Sequence, residues 1–92
     1  MADFQENAMV FEDIREPVEV ITLFRNGSMQ PLKFRWNNRV YKIDRVHGKW
    51  VSDEGLNKFF HYSVSAGSPD CFELCFSSEK MAWELTRVCM EG

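Results

Sequence analysis

The sequence predicts an all-β domain: a small antiparallel meander of five or six strands, curled into an open or partly closed barrel. Three observations carry that expectation. Short segments alternate apolar and polar residues at the period of a half-buried strand. β-branched and aromatic residues concentrate in those segments, where a pleated surface packs them well. Turn-forming residues punctuate them at short intervals, and curling protects edges that a flat sheet would expose.

Taken in order, residues 1–16 lack clean alternation and read as an acidic N-terminal arm, a mobile tail or else, through Met9, Val10, Phe11 and Ile14, a cover for a sheet edge or a short helical turn. Residues 17–92 form the β-domain. Val18 to Arg25 is dominated by β-branched residues and reads as a strand that breaks at Asn26-Gly27-Ser28. Leu32, Phe34 and Trp36 alternate with Lys33, Arg35 and Asn37, placing aromatics on one face and bases on the other. Asn37-Asn38 is a two-residue turn, because asparagine tolerates positive φ. Val40 to Val46 returns, with Tyr41 and Ile43 inward. Val40 and Val46 have the opposite parity, which calls for a bulge or burial on both faces.

His47-Gly48-Lys49 reads as the next turn, Trp50-Val51 as an extended stretch and Ser52 to Asn57 as a loop. Phe60, Tyr62 and Val64 alternate with His61, Ser63 and Ser65. After the turn Ala66–Asp70, Phe72, Leu74 and Phe76 alternate with Cys71, Glu73 and Cys75. Met81 to Met90 is consistent with a helix or a strand. The β-branched Thr86 and Val88, and the need of the preceding strands for a partner, favour the strand.

Ninety-two residues suffice for one domain with a limited core, so a shared subunit interface would help it. No apolar run approaches the roughly 20 residues that cross a bilayer, and no membrane association is expected. Acids stand where a signal peptide has bases, so the expected location is cytoplasmic. The odd cysteine count (Cys71, Cys75, Cys89) reads as free thiols. The net charge of −3 conceals segregation: residues 1–19 carry six acids against Arg15, whereas residues 20–50 carry seven bases against Asp44.

The run Phe34-Arg35-Trp36-Asn37-Asn38-Arg39-Val40-Tyr41-Lys42-Ile43, with Tyr62-Ser63-Val64, Phe72-Glu73-Leu74 and Trp83-Glu84-Leu85-Thr86-Arg87-Val88, resembles a family of small bacterial domains of unknown function. Those domains share a Phe-x-Trp-x-x-Arg-x-Tyr hairpin and a Trp-x-Leu-x-Arg-Val C-terminal strand. The resemblance spans roughly residues 17–90. Where the family usually has glycine at the hairpin tip, this chain has Asn38. Members can lie near genes for translesion DNA synthesis, so the resemblance implies a link to DNA repair by association and carries no catalytic residue.

The leading candidate contact surface is the basic hairpin, with Lys33 and Arg35 outgoing, Arg39 at the tip and Lys42 on the return. Four cations on a ribbon suit phosphate oxygens, an acidic protein partner or the chain's own acidic segment. An ordinary solvated strand face looks the same. Trp50, Phe59 and Trp83 are the candidate interface for a protein partner or a homodimer. Protein or self-association is the expected function, with nucleic-acid binding the alternative and a small enzyme the least favoured reading.

No catalytic, cofactor or metal site is read. Cys71 and Cys75, four apart on a strand, stand about 13 Å apart, too far to share one zinc ion. His47 and His61 have hydroxyls or acids near them in sequence, but a triad is a matter of geometry. The glycines are isolated at turns or the terminus and make no phosphate loop.

Overall fold

The computed structural model describes residues 9–91, and these form seven antiparallel strands and no helix. The strands are β1 (Met9–Arg25), β2 (Ser28–Trp36), β3 (Arg39–Lys42), β4 (Arg45–Glu54), β5 (Asn57–Ser65), β6 (Cys71–Ser77) and β7 (Ala82–Glu91). They build one sheet in the order β3-β2-β1-β7-β6-β5-β4. The all-β antiparallel reading holds, the strand count rises from five or six to seven, and the sheet curls without closing. No helix among the described residues is long and apolar enough to cross a membrane.

β1 begins at Met9, inside the stretch read as an arm, and residues 1–8 lie outside the described residues. Its first half pairs with β7, from Met9 opposite Glu91 to Val18 opposite Trp83. Its second half pairs with β2, from Glu19 opposite Arg35 to Arg25 opposite Ser28. A bulge between Asp13 and Glu16, with Arg15 at a φ of 55°, bends the strand within the half paired with β7. One long strand therefore serves two half-sheets that fold towards each other.

Turn chemistry sets the hairpins. Asn26 and Gly27, and likewise Asn37 and Asn38, take positive φ as two-residue loops, the geometry that matches the right-handed twist of paired strands. The expected continuous strand Val40–Val46 is instead cut after Lys42. The Ile43 amide donates to the Leu32 carbonyl on β2, while the next amide, of Asp44, donates to the Ser65 carbonyl on β5. Two adjacent residues thus carry the chain from one half-sheet to the other. Asp44 anchors the crossing: its carboxylate accepts from the Ser65 hydroxyl at 2.8 Å and the Gly67 amide at 2.7 Å.

His47-Gly48-Lys49, expected to turn, lies within β4. His47 is the extra residue of a bulge between Val46 opposite Val64 and Gly48 opposite Ser63. Val46 faces inward opposite Val64 because the break at Ile43–Asp44 resets the parity before it, and the bulge after it turns Lys49 and Val51 to the same inner face. The loop expected over Ser52–Asn57 shrinks to Gly55-Leu56 between β4 and β5. Met81–Met90 is strand apart from the turn residue Met81.

The core lies between the half-sheets. Phe34, Tyr62, Val64, Phe72, Leu74, Phe76, Trp83, Leu85 and Val88 form its buried cluster. Phe34 stacks on Tyr41 at 4.9 Å and meets the edge of Phe72 at 5.3 Å. Leu32, expected inward, is exposed, and Pro31 is buried in its place. A register shift between Ile21 and Thr22 reverses the parity of β2 there.

Candidate functional site

The hairpin β2–β3 brings three of its four candidate cations together. Lys33 lies directly opposite Lys42 and Arg35 opposite Val40, so these residues share the outer face. Arg39 lies opposite Trp36 on the other face, its guanidinium 5.4 Å from the centre of the Tyr41 ring. The expectation of four cations on one surface is therefore corrected by the pleat. Glu19, on the neighbouring β1, pairs with Arg35, and Glu16 accepts from the Trp36 indole at 2.9 Å. Lys33 and Lys42 make no ion pair among the described residues.

Of the three candidate interface aromatics, two are available at the surface. Trp50 on β4 is 44% exposed and stacks on its cross-strand neighbour His61, ring centres 5.1 Å apart and planes 3° from parallel. Phe59 is half-buried beside them. Trp83 is only 8% exposed and packs against Phe76 and Tyr62. It belongs to the core, because its parity on β7 matches that of Leu85 before the bulge at Thr86.

His61 meets Ser52, a partner sequence reading did not name, with 2.9 Å between Nε2 and Oγ. Burial depresses the imidazole pKa, and the charge of Glu73 opposes that shift more weakly. No carboxylate among the described residues hydrogen-bonds this ring, so the pair lacks the orienting third member of a nucleophilic triad. The cysteines sit on β6 and β7, Cys71 half-buried opposite the buried Cys89, and Cys75 buried farther along. Burial pushes the Cys75 and Cys89 thiols up to about 11.

The feature sequence reading missed is a groove where the curled sheet fails to close. It has a volume of about 730 Å³ and lies between the β1–β2 hairpin and β4–β5. Phe24 and Met29 contribute from the hairpin; Val51, Phe60 and Phe76 contribute from the other side. Phe24 is 65% exposed and Val51 is 54% exposed, so the groove presents apolar surface to solvent. Lys49 and Val51 lie opposite the inward residues Tyr62 and Phe60 and so share their concave face. Arg25 and Lys49 are the cations at the groove, and no carboxylate is among its lining residues.

Backbone groups complete the site. β4 is the last strand of the sheet, with no strand on its outer side among the described residues. Ser28 to Pro31 of β2 pair with β1 and lie beyond the reach of the short β3. The Tyr62 hydroxyl spans the opening and donates to the Met29 carbonyl at 2.7 Å. Among the described residues this side-chain hydrogen bond links the walls where a closed barrel would have a ladder.

Comparison with protein-family models, curated proteins and solved structures finds no match to this chain.

Proposed function

We propose that the domain is a binding and assembly module without catalytic chemistry, engaging a protein partner or a second copy through the free edge of β4. The observation that carries this reading is a ten-residue edge strand bordering an open apolar groove. An exposed edge offers a row of unpaired amides and carbonyls to which an extended segment can add as a further strand.

Edges are ordinarily blunted by charge, shortness or bulges. β3 is blunted by its four-residue length, and β4 carries a bulge at His47 and acids at Asp53 and Glu54. Between them, Trp50-Val51-Ser52 forms an uncharged stretch. Trp50 within it and Phe59, opposite Ser52 on β5, supply aromatic anchors. The alternative of nucleic-acid binding has narrower support, since Arg39 lies away from the other cations and Glu19 neutralises Arg35.

Val51→Lys places a charge at the middle of this edge on an exposed residue. Sedimentation velocity at micromolar concentration should show dimer in the wild type, or a complex with an added extended apolar peptide, and the substitution should abolish either. A wild-type domain that stays monomeric and takes up no peptide would overturn the proposal.

A further inference from the structure

We infer that the groove beside β4 selects extended segments in which a carboxylate and a large apolar side chain stand two residues apart. This rests on the strand-accepting role of β4 and adds the chemistry of what is accepted.

The backbone favours docking on the β4 side. Across the opening, the Met29 carbonyl of β2 already accepts from Tyr62, whereas β4 has no strand neighbour on its outer side. A segment added to β4 extends the sheet, and its side chains alternate between faces at period two. On the concave face β4 presents Lys49 and then Val51, about 7 Å apart along the strand. The residue facing Val51 enters the space bordered by Phe24, Met29 and Phe60, where a leucine, phenylalanine or similar side chain covers exposed apolar surface.

Two positions away on the same face, the incoming residue meets Lys49, with Arg25 on the opposite wall. Lys49 carries a positive field into a groove whose lining residues include no carboxylate, so an acid is attracted there and a base repelled; Arg25, opposite Ser28 and next to the inward Phe24, alternates to the outer face and adds only longer-range charge. Spacing and charge together specify an acid and an apolar residue two positions apart, the acid first in a segment parallel to β4 and the apolar residue first in an antiparallel one. Polyanionic nucleic acid would satisfy the cations but leaves the apolar wall of Phe24 and Val51 without an occupant that alternates.

The test uses the full chain and six probes: acetylated heptathreonine, the same peptide with glutamate third and phenylalanine fifth or with that order reversed, the lysine-for-glutamate counterpart of each, and a single-stranded thymidine oligonucleotide. Calorimetric titration at low salt should show the glutamate peptide, in one residue order or the other, binding about tenfold more tightly than its lysine version, a preference weakened by added salt. Lys49→Glu should reverse that preference, and Val51→Lys should abolish binding of both, with circular dichroism confirming folded variants.

Equal binding of the glutamate and lysine peptides in both residue orders would overturn the inference while leaving strand acceptance standing. Peptide binding that is absent, alongside a dimer abolished by Val51→Lys, would overturn it in favour of self-association. No peptide binding and no dimer would sink the strand-accepting role as well. Oligonucleotide binding lost in Lys49→Glu, without peptide binding, would reassign the groove to nucleic acid.

Discussion

Individual side chains on this sheet owe their behaviour to the residue across the strand as much as to their own chemistry. His61 is held by Trp50 across the pair and by the Ser52 hydroxyl, and partial burial disfavours its charged form. Its folded-state pKa lies below the ordinary 6.5, so unfolding takes up protons when pH falls into that range. The stabilisation is complete above 6.5 and is lost as pH drops through the folded value. Urea unfolding should show stability decreasing on the acid side of neutrality, and His61→Gln should flatten that slope. None of this was legible in the sequence, since Ser52 and His61 are nine residues apart and only the β4–β5 register brings them together. The alternation Phe60, Tyr62, Val64 was legible, because a strand with one wet face imposes period two.

At the level of elements, turns were read more securely than strand lengths. Asn37-Asn38 and Asn26-Gly27 turn because their backbones require positive φ, a demand a local sequence can answer. Asn38 has a φ of 62°. Asn38→Val should cost about 1–2 kcal/mol in denaturant unfolding, whereas Asn38→Gly should be neutral or mildly stabilising, since glycine alone has no Cβ penalty there. His47-Gly48 shows where local reasoning fails. Its composition suits a turn, but pairing with β5 absorbs it as a bulge, and the ladder on either side outweighs the local preference. The split at Ile43–Asp44 is equally invisible locally, because each amide finds its partner on a different, distant strand.

The molecule as a whole is a sheet held just short of closure, and two side chains sit at the decisive places. Asp44 pins the crossing, and the Ser65 hydroxyl, followed by the Gly67 amide, holds its carboxyl below the ordinary 3.8. That stabilisation is present above 3.8 and is lost as acid protonates the folded-state carboxylate. Asp44→Asn should lower stability at neutral pH and reduce the acid sensitivity seen as pH falls below 3.8. Tyr62→Phe removes the hydroxyl bridging to Met29 and should cost about 1 kcal/mol in urea unfolding. The same substitution should speed amide hydrogen exchange in the β1–β2 hairpin more than in β6 and β7, since it releases only the wall of the opening.

Alternation, β-branching and paired asparagines made the fold class, most strand positions and the cationic hairpin visible in the chain, because those properties arise from neighbours one or two residues away. Which faces those strands present, and which ends remain unpaired, follows from bulges and long-range register. A one-residue shift turned Leu32 outward and Pro31 inward, and parity carried Arg39 away from the other cations. Trp83 went to the core for the same kind of reason. The groove of Phe24, Lys49 and Val51 joins residues separated by more than twenty positions, and it exists because the half-sheets meet without pairing their last edges. Such an opening is a property of curvature and closure, which no local pattern encodes.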